Sequence, residues 1–199
     1  KSSGEKWILT AKTEHHAVSK TAEQLAVEYG FLVEWLDMDK YGAVTPESLS
    51  KAVCNQTALA SVMYANNEIG TINPIPELVE IARVNNILFH TDAVQSLGKI
   101  PVHLDHIGVD LASFSGHKFY SLKVCGVLFC RKGILLNAQI HGGPQERGRR
   151  AGTENLLSIS SFSFMCGELS RVPQEGERIT QLTRDLEQKI LAEIPITRI

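Results

Sequence analysis

Several features that are typical of other protein classes are missing from this sequence of 199 residues. No apolar run approaches the roughly 20 residues that a membrane-spanning helix needs, and the first residues show no signal-peptide pattern. The four cysteines have no CxxC spacing, which argues against a disulfide framework and favours a reducing, intracellular compartment. The formal net charge of only -2 gives no electrostatic reason to expect nucleic acid or an anionic membrane as a partner.

The composition itself is that of a folded domain. Hydrophobic residues make up 43% of the chain and charged residues 21%, enough for a sizeable core with an ordinary polar surface. The length suits one domain, or one domain with a piece of another. The chain opens at Lys1 and stops within a β-prone stretch at 194–197, so we expect sequence on both sides.

Strand-like and helix-like segments alternate along the chain, which predicts βαβ units and a mostly parallel sheet. The predicted strands are residues 7–10, 31–38, 58–65, 87–91, 109–114 and 127–130, the last of them an antiparallel partner. Helices are predicted over 15–29, from the Thr45-Pro46 cap, around Leu78 and Ala82, and along the apolar stripe from Ile179. We therefore predict an α/β fold.

Polar residues cluster where four of the predicted strands end. The clusters are residues 13–16, 66–68, 92–95 and 115–118. Because ligands of open α/β sheets bind outside the carboxyl ends of the strands, we expect the clusters to converge at one end of the sheet.

Each cluster also has a simpler interpretation. His15 fits a partly exposed helix start. Asn67 fits a turn, and Asp92 fits a cap of the segment that follows it. Lys118 fits a surface loop from which it extends into solvent.

Two charged residues at neighbouring strand ends carry a chemical hypothesis. Lys118 follows an apolar run, where desolvation would make its ammonium easier to deprotonate, and a neutral amine attacks carbonyl groups. Asp92 ends the neighbouring run, with Gln95 just beyond it. A carboxylate for a pyridinium nitrogen and a lysine for a Schiff base are what a pyridoxal phosphate site requires.

A glycine- and arginine-rich segment spans residues 141–153. Its three arginines and its glycines suit an anion. Thr153 is predicted to cap the next helix and to leave helical N–H groups free for phosphate. The alternative is a solvated loop with scattered charge.

Specific motifs strengthen the hypothesis. They are Thr13-Glu14-His15-His16-Ala17-Val18, Asn66-Asn67-Glu68-Ile69-Gly70, His90-Thr91-Asp92-Ala93-Val94-Gln95-Ser96 with Gly98-Lys99, Ser113-Phe114-Ser115-Gly116-His117-Lys118, and the 141–153 segment. In order and spacing, across residues 7–155, they resemble the cysteine desulfurases and selenocysteine lyases, the class V group of fold-type I pyridoxal phosphate enzymes. The motifs look closer to those of the NifS-like bacterial desulfurases than to those of the animal selenocysteine lyases.

The resemblance implies an architecture. Residues 1–160 would form the three-layer large domain of fold-type I enzymes, with a mostly parallel central sheet and an incomplete N-terminus. Residues 161–199 would form the connecting helix and the start of the small domain, with the rest of that domain lying outside these residues.

The resemblance also implies roles at the cofactor ring. Lys118 would form the Schiff base with pyridoxal 5'-phosphate, and Asp92 would keep the pyridine nitrogen protonated. Gln95 would hydrogen-bond the ring hydroxyl. His15 would stack on the ring and take part in proton transfer.

Further residues would bind around the ring. Ser115 and His117 would hold the phosphate, with Gly116 permitting its close approach. Asn67 would orient the substrate or the ring oxygen. Thr153 would reach the phosphate of the neighbouring subunit's cofactor, because family members are homodimers.

The implied activity is removal of sulfur from L-cysteine, leaving alanine and an enzyme persulfide for sulfur transfer, as in iron–sulfur cluster assembly. The implied partners are a second copy and a sulfur-acceptor or scaffold protein, in the cytoplasm or, after removal of a targeting segment, in mitochondria. Two alternatives stay open. One is a selenocysteine lyase acting on L-selenocysteine, and the other is a catalytically silent scaffold.

The match also has departures. The usual Tyr-Gly-Pro-Lys-Gly after the lysine is replaced by Tyr120-Ser121-Leu122-Lys123-Val124. If this loop needs a positive φ at a former glycine, a serine or valine there costs on the order of 1 kcal/mol or more. The catalytic cysteine, a phosphate-binding threonine and a substrate-binding arginine of the family lie outside these residues. Three of the cysteines present, Cys125, Cys130 and Cys166, are predicted to be buried and structural.

Overall fold

Six strands form a single sheet in the order β2-β1-β3-β4-β5-β6. The computed structural model describes residues 6–194 and 196–197. The strands are β1 (Trp7–Ala11), β2 (Leu32–Leu36), β3 (Thr57–Ser61), β4 (Leu88–Asp92), β5 (Leu111–Ser115) and β6 (Gly126–Cys130). The first five are parallel, and β6 pairs with β5 in the antiparallel direction. The predicted α/β fold with a mostly parallel sheet is confirmed, including the antiparallel last strand.

Some helices connect consecutive strands, and others come after the last strand in the chain. They are α1 (His16–Tyr29), α2 (Pro46–Ala52), α3 (Ile75–Val84), α4 (Leu104–Ile107), α5 (Gln145–Gly148), α6 (Leu156–Gly167) and α7 (Val172–Glu193). A 3₁₀ turn at Gly116–Phe119 continues directly from β5, and a second one at Glu168–Arg171 joins α6 to α7.

Local signals in the sequence set several helix ends. Thr45 caps α2, with its Oγ1 accepting a hydrogen bond from the Ser48 amide at 3.1 Å. Gly30 ends α1 in the left-handed conformation, at φ 70°, a backbone region that glycine enters without steric cost. The predicted cap at Thr153 is wrong. Asn155 caps α6 instead, accepting from the Ser158 amide at 3.2 Å, because α6 begins three residues after Thr153.

The hydrophobic core lies against the centre of the sheet. Its largest fully buried side chains include Phe89, Leu9, Leu49, Met63, Ile75 and Leu78. Because Phe89 belongs to β4 and Leu9 to β1, the inner strands contribute directly to this core. The core therefore anchors the strands whose ends carry the polar clusters.

The C-terminal helix is confirmed, but its apolar stripe is not buried. Ile179, Leu182 and Leu186 are about half exposed on α7. The β-prone stretch predicted at 194–197 includes Pro195, which lies outside the described residues. Along residues 6–194, no helix combines the length and the apolar character needed to cross a bilayer.

Candidate active site

The four polar clusters meet at one end of the sheet. They follow β1, β3, β4 and β5, which are consecutive neighbours in the sheet order. All four strands are parallel, so their carboxyl ends lie along the same edge. The expected convergence is confirmed.

Asp92 is the last residue of β4 and lies at this edge. Only 8% of it is exposed, and its Oδ1 accepts a hydrogen bond from the Val94 amide at 2.9 Å. Asp92 therefore does cap the following turn, as its simpler interpretation predicts, and Oδ2 is left for another donor. Ser113 of β5 lies opposite Asp92 in the sheet, so Ser115 projects from the same face two residues further along.

A hydrogen-bonded row crosses three strands below Asp92. The imidazole of His90 contacts Ser61 Oγ through Nδ1 at 2.8 Å and Ser113 Oγ through Nε2 at 2.8 Å. Burial lowers the pKa of His90, although the charge of Asp92 opposes this. A neutral imidazole with one donor and one acceptor nitrogen suits two hydroxyl partners. His90 lies within one of the sequence motifs, but nothing in the motif predicts this role.

Lys118 lies in the 3₁₀ turn that follows β5, and its side chain is exposed. The expectation that burial at the strand end desolvates this lysine is therefore wrong for the described chain. The turn carries it past the buried end of β5. Just before the lysine in the chain, Ser115 Oγ and His117 Nδ1 lie 3.0 Å apart, within hydrogen-bond distance.

A second lysine joins the two motifs. Lys99 Nζ donates to Gln95 Oε1 at 3.0 Å and to the backbone carbonyl of Lys118 at 3.3 Å. Partial burial and then the charge of Lys118 lower the pKa of Lys99, so the two ammonium groups are close enough to interact. Sequence reasoning missed this contact, since its only signal was the Gly98-Lys99 dipeptide.

Glu14 is a further buried acid that sequence reasoning missed. It is 5% exposed, and its Oε1 accepts a hydrogen bond from the Met63 amide beyond β3. Its Oε2 is buried without a hydrogen-bond partner in the part of the chain that the structure describes. Burial raises the pKa of Glu14 to about 8, opposed by the Met63 hydrogen bond and reinforced by the charge of Asp92. Glu14 is therefore mostly a neutral acid at neutral pH.

His15 and Asn67, two of the expected site residues, lie where a helix begins and where a turn follows a strand. His15 is the exposed N-cap of α1, where its Nδ1 accepts from the Ala17 amide at 3.1 Å. The turn after β3 is closed by Asn66 rather than by Asn67. The Asn66 side chain donates to the Thr13 carbonyl at 3.0 Å and accepts from the Glu68 and Ile69 amides, while Asn67 is exposed. Asn66 thus ties the first two clusters together and leaves the Asn67 side chain at the surface.

The loop after Lys118 contains two residues with positive φ that are not glycine. Tyr120 has φ 69° and Val124 has φ 67°, both in the left-handed region. For a β-branched residue such as valine this is an outlier, with a cost on the order of 1 kcal/mol or more. Val124, which stands where the family has a glycine, therefore adopts the positive φ on which the expected cost depends. Ser121 avoids the left-handed region.

The remaining expected residues lie further along the chain. Thr153 is exposed between α5 and α6. Cys125 and Cys130 are half-buried, whereas Cys54 and Cys166 are exposed. The predicted burial of Cys166 is wrong, because this residue is exposed on α6.

Comparison with known proteins identifies the family. Residues 2–198 match the profile of the family described as Aminotransferase class-V. The chain belongs to the aminotransferase class-V family.

Individual relatives of this class-V chain are desulfurases by name. It is 45% identical over 194 residues to "Cysteine desulfurase IscS" of Methanosarcina thermophila, covering 98% of this chain and 48% of that protein. It is 47% identical over 191 residues to the protein of the same name from Dictyoglomus turgidum, covering 93% and 48%. The chain thus spans about half the length of the curated relatives that it matches.

Solved structures share the class-V fold. A "NIFS-LIKE PROTEIN" superposes with a TM-score of 0.85 at 38% identity, covering 96% of this chain and 52% of the other. The structure "SspA in complex with cysteine" superposes with a TM-score of 0.78 at 34% identity, covering 81% and 47%. The fold-type I architecture implied by the sequence is confirmed.

Pyridoxal phosphate is the cofactor of this family, and the donors at the strand ends fit its chemistry. Asp92 has a carboxylate oxygen available for a ring N–H. The amide nitrogen of Gln95 is available because Lys99 occupies the amide oxygen. A hydroxyl and an imidazole lie at the end of β5, and the exposed Lys118 amine follows them. The phosphate, the carbonyl group and the ring nitrogen of the cofactor therefore each have a suitable partner among these side chains.

Proposed function

We propose that this chain is the cofactor-binding part of a pyridoxal-phosphate-dependent cysteine desulfurase. The complete protein would remove sulfur from L-cysteine, leaving alanine and a persulfide on an enzyme cysteine. The observation that carries the proposal is the position of Asp92 and Gln95 at the end of β4 and of Lys118 just beyond the end of the neighbouring β5. The desulfurase names of relatives 45% and 47% identical to the chain support it.

Each site residue has a task that its position suits. Pyridoxal phosphate, when bound, supplies an electron sink next to the reacting carbon. Asp92 would hold a proton at the ring nitrogen, with Oδ1 kept in place by the Val94 amide. Gln95 would donate from Nε2 to the ring oxygen. Lys118 would attach the cofactor through its amine and carry a proton to and from the substrate.

The other predicted residues would bind the phosphate and surround the ring of the cofactor. Ser115 and His117 would donate to phosphate oxygens from the end of β5. His15, at the exposed N-terminus of α1, would cover one ring face and exchange protons. Asn67, free of the turn that Asn66 closes, would orient the substrate or the ring oxygen. Thr153 would reach the phosphate bound by a second copy in a homodimer.

The domain division is also part of the proposal. Residues 1–160 would form the large domain, and residues 161–199 the connecting helix and the start of a small domain. Helix α6 runs without interruption across this boundary, which suits a rigid connection. The thiolate that takes the sulfur would come from outside these residues, as would the arginine that holds the substrate carboxylate.

The physiological setting follows from the same proposal. The persulfide would pass its sulfur to an acceptor or scaffold protein, for example during iron–sulfur cluster assembly. A cytoplasmic location suits a chain of this composition, with mitochondria as the alternative.

Visible absorption tests the proposal directly. The protein expressed from its complete gene should develop an absorption band of protein-bound cofactor when pyridoxal phosphate is added. Lys118→Ala should abolish the band, and Lys132→Ala, which removes another exposed lysine, should leave it intact. A colourless wild-type protein in excess cofactor would rule the proposal out.

Substrate assays separate the two lyase functions. L-cysteine and L-selenocysteine are supplied separately, and alanine, sulfide and selenide are measured. Alanine from L-cysteine supports the desulfurase, and alanine from L-selenocysteine alone would establish the selenocysteine lyase. Alanine from neither would contradict both.

One observation favours a catalytically silent scaffold as a second candidate. The positive φ at Val124 introduces strain beside the site, which a protein freed from catalysis could tolerate. A scaffold has no need of Lys118, so the same absorption experiment separates it from the enzyme.

A further inference from the structure

The loop after Lys118 is strained at both of its ends. Tyr120 and Val124 have positive φ, and neither is glycine. Left-handed backbone at a β-branched residue persists only where surrounding contacts hold it. The loop therefore needs contacts that hold its conformation.

Two serines on α6 provide those contacts. Ser161 Oγ accepts from Ser121 Oγ at 3.1 Å and from the Leu122 amide at 3.1 Å. One turn earlier on α6, Ser158 Oγ donates to the Lys123 carbonyl at 3.1 Å, and Ser158 is only 4% exposed. Residues three apart share one face of a helix, so both serines meet the loop together. We call this pair, Ser158 and Ser161, the serine latch.

The same helix also packs against the turn that carries the lysine. Phe162 meets Phe119 edge-to-face, with ring centroids 4.9 Å apart, and Phe119 is the residue after Lys118. A methyl group added at Gly116 would approach Phe162 and Ser121 to 3.2 Å, so the packing around the turn is tight. Helix α6 thus contacts the chain on both sides of Tyr120.

We propose that Ser158 and Ser161 are positioning residues that hold the strained loop against α6 and thereby orient Lys118 toward the cofactor. The proposal rests on the proposed function, because it assigns the purpose of the latch to cofactor attachment at Lys118. The first part of the proposal, that the two serines hold the loop against α6, does not depend on that function. The latch replaces, with side-chain hydrogen bonds, the conformational preference that a glycine at Val124 would supply.

Amide hydrogen exchange of the cofactor-free protein tests this first part of the proposal. Ser161→Ala should accelerate exchange of the Leu122 amide by about fivefold or more, since this amide loses its hydrogen-bond acceptor. Ser160→Ala, an exposed neighbour on α6, serves as the matched control and should change nothing. Ser121→Ala, changed from the loop side, provides a second variant that spares the helix.

Cofactor titration tests the link to Lys118. Ser161→Ala should weaken pyridoxal phosphate binding several-fold and shift the pH at which the visible band titrates, because Lys118 loses its fixed orientation. Adding Val124→Gly to Ser161→Ala should restore both values, since glycine accepts a positive φ unaided. General destabilisation of α6 would not be reversed by a change in the loop.

The outcomes are distinguishable. A wild-type protein that never develops a visible band contradicts the proposed function, whatever the exchange data show. The latch is overturned if Ser161→Ala binds pyridoxal phosphate as tightly as wild type does. It is also overturned if exchange of the Leu122 amide is unchanged in both Ser161→Ala and Ser121→Ala. Failure of Val124→Gly to rescue binding overturns it as well.

Discussion

The ammonium group of Lys99 donates to the amide oxygen of Gln95 at 3.0 Å. Lys99 has no acceptor atom to offer, so this contact selects the amide orientation in which Oε1 faces the lysine. The amide nitrogen of Gln95, which is a hydrogen-bond donor, then faces away from Lys99 and is available to an acceptor. In the proposed site, a ring oxygen of the cofactor would need such a donor, and Lys99 would then orient Gln95 for it.

Replacing Lys99 should weaken cofactor binding. In Lys99→Met the Gln95 amide is free to turn, and we expect a loss of about 1 kcal/mol, or several-fold in the pyridoxal phosphate dissociation constant. The constant is measured by titration of the visible band. Lys132→Met is the control, and an equal loss in that variant would show that a general reduction of positive charge is responsible.

Glu14 should make the stability of the protein depend on pH. Its pKa in the folded state is about 8, above the ordinary 4.5, so the folded state holds this proton over a range where the unfolded state has released it. The group's contribution to stability is therefore complete below about 4.5 and is lost as the pH rises toward 8. Over this range the loss is on the order of a few kcal/mol.

Urea unfolding at about pH 6 and about pH 8 measures this loss. Glu14→Gln stays neutral and keeps an oxygen for the Met63 amide, so its unfolding free energy should change less with pH than that of wild type. Glu68→Gln, at an exposed acid, is the control and should follow wild type. Identical pH profiles for wild type and Glu14→Gln would contradict the burial of a neutral carboxyl group.

Asp92→Asn tests the proposed partner of the ring nitrogen. Asparagine keeps the shape and an oxygen for the Val94 amide, but it loses the negative charge that would hold a proton on the ring. We expect alanine formation from L-cysteine to fall by about a hundredfold or more, while the fold is retained. Asp105→Asn, at an exposed position, should leave the rate unchanged. A rate in Asp92→Asn close to wild type would remove Asp92 from the proposed site.

Thr45→Ala tests a helix cap that the sequence predicts. The Thr45 hydroxyl accepts from the Ser48 amide, and its removal should lower the unfolding free energy by about 1 kcal/mol. The measurement is chemical unfolding, with Ser50→Ala as the exposed control in the same helix. A cost no larger than that of the control would show that the cap contributes nothing.

Much of the fold and of the site could be predicted from local signals. Alternating apolar and polar segments predicted the parallel sheet, because strand and helix periodicities are local properties of the chain. The ends of the strands then predicted that Asp92 and Lys118 lie at the same edge of the sheet, since parallel strands share one carboxyl edge. The family resemblance raised the question of a positive φ at Val124, where the family has a glycine, and the structure shows φ 67° there.

Other features depend on contacts between distant parts of the chain. Glu14 meets the Met63 amide, 49 residues away, and Ser161 meets Ser121, 40 residues away. No local sequence pattern predicts either contact. The cap of α6 is Asn155 rather than Thr153, because the helix begins at Leu156.

The amino-acid sequence by itself determined the class of fold, the end of the sheet at which the polar residues gather, and the family resemblance. Tertiary structure alone decided which groups are desolvated. It left Lys118 exposed, buried Glu14 as a neutral acid, and set Lys99 and the serines of α6 around the proposed site. The reason is physical: motifs follow from neighbours in the chain, whereas burial and hydrogen-bond partners follow from neighbours in space.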